Sequence, residues 1–233
     1  HEIALAFLAH GAKVVVSDRD EQLVAVGEKQ TPGAVGFPCD IRDEDAVRRL
    51  VDFAVTTYGR LDVMVANAGA FSVIKLADTT LQDWRAITSI NLDGTAMCVR
   101  YAANAIAASG GGSVIAIASI DAMGGMASAS PYCASKAGLL NMCRAAALEY
   151  RAAGVRVNVI SPGFFRGPMW PETEALIGPA MGGDLAAVVT QIQGVVGVPS
   201  DLAGPAIFLA SERSSFISGI NLVVDNASSA AAM

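Results

Sequence analysis

Short apolar runs alternate along the chain with longer stretches in which apolar residues recur at helical spacing. The runs are Ala12–Ser17, Ala34–Cys39, Leu61–Ala66, Gly110–Ala118, Val155–Ile160 and Asn221–Val224. Their length and their Val/Ile/Ala content predict strands buried on both faces. The intervening stretches predict helices over His1–His10 (stopped by Gly11), Asp20–Gln30, Asp43–Tyr58 (stopped by Gly59), Thr80–Ser109, Ser130 to about Ala153, and Ser200–Ser211. Pro205 is expected to kink the last helix or to confine it to its first turns. This alternation implies a three-layer α/β chain with a doubly wound parallel sheet. No linker, repeat or low-complexity tract divides residues 1–233, so a single domain is expected.

The chemistry concentrates in Ser119–Lys136, SIDAMGGMASASPYCASK. Ser130-Pro131 reads as a helix start, with serine as N-cap and proline at the first helical position. Tyr132 and Lys136 then stand one turn apart on one face. A free tyrosine, with a pKa of about 10, exchanges protons poorly at neutral pH. A neighbouring ammonium and the positive end of the helix dipole are both expected to lower that value. So tuned, Tyr132 can pass a proton to or from an alcohol oxygen. Ser119 ends the apolar run Ser113–Ala118 and can donate a hydrogen bond to the same oxygen. A Tyr-x-x-x-Lys pair alone is most often a surface pair; the strand-end serine opposite it makes it a candidate site.

Composition narrows the function. Of 233 residues, 53% are hydrophobic and 16% charged, which suits a buried parallel sheet or an oligomer. A net charge of −6 and a pI near 4.9, without a basic patch, argue against nucleic acid as a partner. Cys39, Cys98, Cys133 and Cys143 are scattered in apolar segments and read as reduced thiols of a cytoplasmic protein. His1 and His10 are the only histidines, so neither a zinc site nor a histidine triad is expected. No apolar run is long enough to span a membrane, and the apolar N-terminus lacks the basic start of a signal peptide.

Asn67-Ala68-Gly69, Asn91, Ser119, Tyr132-x-x-x-Lys136 and Pro162-Gly163 occur in an order and at spacings that resemble the short-chain dehydrogenase/reductase family. The resemblance runs from His1 to about Asp225 and implies a Rossmann-like fold, with ligands at the C-terminal ends of the strands. It implies NAD as cofactor and a small-molecule alcohol or ketone as substrate. Asp18, at the tip of the first run, would accept hydrogen bonds from the adenosine ribose and repel a 2′-phosphate; capping of the next helix is the alternative. Arg19 beside it is a residue that can serve such a phosphate. Asp40 and Ile41 would hold the adenine edge, unless local capping explains them. Asn67, Ala68 and Gly69 would line the cofactor, where a turn alone would need no such role. Asn91 would hold a water linking Lys136 to solvent, or would simply kink its helix.

In the same resemblance Tyr132 and Lys136 also bind ribose, and Pro162, Gly163 and Phe165 lie beside the nicotinamide. Gly167 stands where the family usually carries a threonine that holds the carboxamide. Residues 164–198, with Phe165, Met169, Trp170 and Met181, read as an apolar substrate lid or as a subunit contact. Arg166 is a candidate partner for an anionic substrate group. A homotetramer is implied, built on the long helices and the last strand. Asp225-Asn226 replaces the family's commoner Asp-Gly-Gly, with no functional consequence expected. The family's first strand and glycine-rich loop have no counterpart here, and about twenty further residues before His1 are expected in the functional polypeptide. Two other readings stand beside a dehydrogenase. One is a cofactor-independent halohydrin-lyase-like enzyme, against which Lys136 and Asp18 argue. The other is a non-catalytic binding protein on the same fold.

Overall fold

The computed structural model describes residues 1–167 and 170–230, the side chains of Ala180 and Met181 excepted. Met169 therefore lies outside the described residues. The chain opens with α1 (Glu2–Ala9), β1 (Val15–Asp18), α2 (Glu21–Gln30), β2 (Val35–Pro38), α3 (Glu44–Tyr58) and β3 (Val63–Ala66). It continues through α4 (Leu81–Thr88), α5 (Thr95–Ala108), β4 (Gly112–Ile117), α6 (Ser130–Tyr150) and β5 (Val155–Pro162). Three short helices follow, α7 (Trp170–Ile177), α8 (Leu185–Gln193) and α9 (Ala203–Ala210), before β6 (Asn221–Val224).

All strand pairs are parallel, as the alternation predicts. They form two ladders, β1-β2 and β3-β4-β5-β6, with no backbone pairing between β1 and β3. Side chains along β4 alternate between faces with the two-residue period of a strand. Val114 and Ala116 enter a core with α5 and α6, including Val99, Ile106 and Leu139. Ile115 and Ile117 enter a second core with Ala206 and Leu209 of α9 and with Ile3 and Phe7 of α1. Helices thus cover both faces, which is why β4 is apolar at every position from 114 to 117.

Local chemistry fixes the helix ends. Asp20 and Asp43 accept from the backbone N–H of Gln22 and Asp45, and Gly59 closes α3 with φ of 82°. Arg156 donates to the carbonyls of Leu209, Ala210 and Ser211, satisfying the end of α9. Pro205 sits in the first turn of α9, where it breaks no helical bond. Ser130 is the first residue of α6, not its cap; Ala129 precedes it and no side chain caps this end. The expected 80–109 helix is divided by a π-helical turn, Ser89–Gly94, that holds Asn91. Gly94 ends it because a Cβ there would lie 2.7 Å from the Ile41 carbonyl oxygen.

Candidate active site

Within each ladder parallel pairing puts the C-terminal strand ends on one side, and the sequence motifs lie at those ends. Asp18 ends β1, Asp40-Ile41 follow β2, Asn67-Ala68-Gly69 follow β3, Ser119 follows β4, and Pro162-Gly163 close β5.

Ser119 is buried, and its Oγ donates to Asp121 Oδ2 at 3.0 Å while accepting the Asp121 backbone N–H at 3.1 Å. Tyr132 stands edge-on to Phe71, ring centroids 4.9 Å apart. Its phenol is pushed up to about 12, first by burial, with the Asp121 charge adding to the rise and a hydrogen bond with Ser119 opposing it. This reverses the expected lowering. The Lys136 ammonium donates instead to the Ile117 carbonyl at 2.9 Å and lies 5.8 Å from the Tyr132 ring centroid. Burial pushes Lys136 itself down to about 8.

Asn91 is fully buried. Its Oδ1 accepts from Ala70 N–H at 2.8 Å, and its Nδ2 donates to Ala70 O at 2.9 Å and Ser135 Oγ at 3.1 Å. Its described bonds therefore tie the turn after β3 to α6. Ser135, one residue before Lys136, donates back to the Tyr132 carbonyl at 2.7 Å. Gly69 leaves room between Asn91 and Lys136: a Cβ there would sit 3.5 Å from both Asn91 Oδ1 and Lys136 Nζ.

At the other strand tips, Asp18 is exposed and accepts from Asp20 N–H at 3.0 Å. The side-chain cap of α2 is Asp20, so the capping alternative does not need Asp18. Asp40 is taken by Arg42, whose Nε lies 2.9 Å from Oδ1 and whose Nη2 bonds Oδ2. Those bonds hold the Asp40 carboxyl down to about 2. Ile41 turns its side chain onto Gly94 and the Cys39–Val47–Cys98 cluster.

Gly163 has no room for a side chain: a Cβ would meet Gln193 Oε1 at 2.3 Å and Asp225 Cβ at 2.9 Å. Buried Gln193 accepts from Phe164 N–H at 2.9 Å and donates to the carbonyls of Phe164 and Val195. Phe165 pairs with Gly197 as an isolated parallel bridge. The Arg166 guanidinium lies 5.4 Å from the Trp170 ring centroid, so it stacks on its own segment. Trp170, Ile177, Leu185 and Val189 form a small core over Phe71, Val73 and Met126. Asn226, at φ of 48°, donates to Gln193 O at 2.7 Å, a bond no glycine can make. Gly167 is open, the nearest atom to an added Cβ being Pro199 Cγ at 3.8 Å.

Sequence reasoning passed over Asp121, Ser135 and Gln193. Asp121 and Ser135 carried a signal, being polar residues inside the stretch already singled out. Gln193 carried none, being one of two glutamines, with Gln191, in the largely apolar stretch of 185–198.

Residues 1–227 match the family model described as enoyl-(acyl carrier protein) reductase. The borneol dehydrogenase, mitochondrial, of Lavandula x intermedia is 34% identical over 224 residues, 95% of this chain and 83% of that protein. The L-fucose dehydrogenase of Oryctolagus cuniculus is 36% identical over 95% of this chain and 78% of its own length. A crystal structure of a short-chain type dehydrogenase/reductase from Mycobacterium marinum superposes with a TM-score of 0.88 at 30% identity, covering 99% of this chain and 91% of that one. Fold, site and relatives agree: the chain belongs to the short-chain dehydrogenase/reductase family. It is an alcohol dehydrogenase-type oxidoreductase by that membership. Among the described residues, no helix is long and apolar enough to cross a membrane, and no histidine, cysteine and carboxylate cluster could hold a metal ion.

Proposed function

We infer that the protein transfers a hydride between NAD(H) and a secondary alcohol or ketone of apolar or cyclic character. The observation that carries this reading is the meeting of Ser119, Tyr132 and Lys136 at the end of β4. The glycine positions fit a nucleotide: Gly69 leaves free space beside Lys136, and exposed Asp18 offers a carboxylate to ribose hydroxyls. Asn67, Ala68, Gly69, Pro162, Gly163 and Phe165 would line the cofactor. Ile41 and Asp40, the latter neutralised by Arg42, would border its adenine.

When bound, nicotinamide supplies or accepts the hydride; the protein supplies position and field. Tyr132 gives a proton to the carbonyl oxygen in reduction and takes one from the hydroxyl in oxidation. Lys136 places a positive charge beside the nucleotide ribose and the phenol. Ser119 orients the substrate oxygen. Asn91 holds the floor of the site by fastening Ala70 to α6. Residues 164–198 act as the lid, and their apolar core over Phe71 and Met126 favours an apolar substrate. The four free thiols, three of them buried, support a reducing compartment such as the cytoplasm. Exposed Leu148 and Phe216 support self-association, for which a homotetramer is the expected form.

The test is a panel of secondary alcohols with NAD, followed by NADH absorbance, for the protein and for Tyr132→Phe. Turnover abolished in the variant with NADH binding retained is the expected result. Near-normal turnover in Tyr132→Phe removes the mechanism.

A further inference from the structure

Asp121 lies two residues from Ser119 and next to Tyr132, and the reaction outlined above assigns it nothing. A carboxylate has no proton to donate, so in the Ser119–Asp121 contact the hydrogen must come from Ser119. The remaining capacity of Ser119 Oγ is as an acceptor, already engaged by the Asp121 N–H at 3.1 Å and facing Tyr132. A ketone oxygen needs a donor. We propose that Asp121 is a positioning residue that sets the direction of the Ser119 hydroxyl, holding its proton away from the substrate oxygen when ionised and releasing it when protonated.

Three observations support this. Asp121 is short-tethered: backbone and side chain of one residue bond the same oxygen, so the geometry has little freedom. Asp121 is half-buried, and burial raises its carboxyl above the ordinary value. On α6, Tyr132 feels the Asp121 charge, and the Lys136 ammonium is spent on Ile117 O. The charged residue of β5, Arg156, sits near that strand's other end on the carbonyls of α9. With no described cation bonded to it, Asp121 takes its nearest hydrogen from Ser119.

The sign follows. As pH rises through the Asp121 titration, Ser119 changes from donor to acceptor toward the substrate. Ketone reduction then loses its hydrogen-bond donor, while an alcohol O–H gains an acceptor. The switch also reaches Tyr132: the Asp121 charge disfavours the phenolate, and a Ser119 proton turned to Asp121 withholds the hydrogen bond that favours it.

This inference rests on the dehydrogenase reading, and its test separates the two. Ultraviolet titration of the full chain, with Tyr132→Phe subtracted, isolates Tyr132 among the four tyrosines. Asp121→Ala and the isosteric Asp121→Asn should each lower the Tyr132 pKa by about one unit. In a Ser119→Ala background the same replacements should shift it by less than half as much. With cyclohexanone and NADH as probes, wild-type kcat/KM should fall as pH rises through the Asp121 titration, and Asp121→Asn should lack that fall. An unmoved Tyr132 titration, a shift of equal size without Ser119, or an unchanged pH profile in Asp121→Asn each overturns the proposal alone. Turnover that survives Tyr132→Phe overturns the reading beneath it.

Discussion

Asn91 grips Ala70 from both sides of its peptide unit, accepting from its N–H at 2.8 Å and donating to its carbonyl at 2.9 Å. These bonds mimic a strand pairing, made by a side chain that a π-helical turn brings into the core. Asn91→Ala should destabilise the protein by about 2–4 kcal/mol, since it leaves buried polar groups without partners. Urea unfolding measures this. An unchanged midpoint with an unchanged slope would show that the clamp contributes nothing.

Two glycines in the loop after β5 should respond oppositely to substitution. Gly163→Ala drives a methyl into Gln193, whose amide is pinned by several hydrogen bonds and cannot give way. Overpacking of this kind costs about 1–3 kcal/mol. At Gly167 an added Cβ meets, among the described residues, only Pro199 Cγ at contact distance, and Gly167→Ala should stay within about 0.5 kcal/mol of the parent. Thermal melts of the two variants check the contrast; equal losses would contradict the loop geometry.

Stability should pass through a maximum near pH 9. Lys136 has a folded pKa of about 8 against an ordinary 10.5, so between those values the unfolded chain binds the extra proton. Stability therefore rises with pH, by up to about 1.4 kcal/mol per unit. Cys39, Cys98 and Cys143 are pushed from 9.0 to about 11, 12 and 12, so above pH 9 the folded chain binds the extra protons. Stability then falls, and three thiols outweigh one lysine. Calorimetric melts should show the maximum, and Lys136→Met should lose the rise below pH 9 while keeping the fall above it.

Asp18 should select the cofactor. A carboxylate at the ribose position repels a 2′-phosphate, so NAD is expected to give the higher kcat/KM. Asp18→Ala should shift the NADP/NAD ratio of kcat/KM toward NADP by about tenfold or more, equivalent to ~1.4 kcal/mol. A parent enzyme that prefers NADP would remove this role, and the neighbouring Arg19 would be the residue to examine next.

Phe216 is wholly exposed in the single chain, and Leu148 on α6 is 65% exposed. Burial of such side chains between copies supplies about 1.5–3 kcal/mol each. Light scattering at micromolar concentration should give a tetramer, and Phe216→Asp should lower the mass. A monomer in the parent would contradict the assembly.

The alternation of apolar runs and helical stretches made the parallel sheet legible, because a strand covered on both faces must be largely apolar, as β4 is from Val114 to Ile117. The spacing of Ser119, Tyr132 and Lys136 was legible because a strand end and a helix face have fixed periods. What depends on direction was not. Nothing in Tyr-x-x-x-Lys tells that Lys136 turns to Ile117 O, so the expected lowering of the phenol gave way to burial. Asn91 read as a water-holding residue or a helix kink, and its described partner Ala70, like Ile41 against Gly94, lies far away in the chain. Gln193 had no pattern to betray it, since an amide that bonds the backbone of another loop leaves no periodicity.

The segment from 164 to 197 is closed at its own base. Arg166 N–H donates to Gly197 O at 2.8 Å, Gly197 N–H to Phe164 O at 3.0 Å, and Gln193 bonds Phe164 twice more. Its two ends are thus stapled to each other beside the floor that carries Tyr132, and the chain between them forms a loop with its own small core. That core is not sealed from the rest of the chain: it packs on Phe71, whose ring stands edge-on to Tyr132. A loop grafted from a relative would therefore have to match Phe71 to leave the Tyr132 ring where it is.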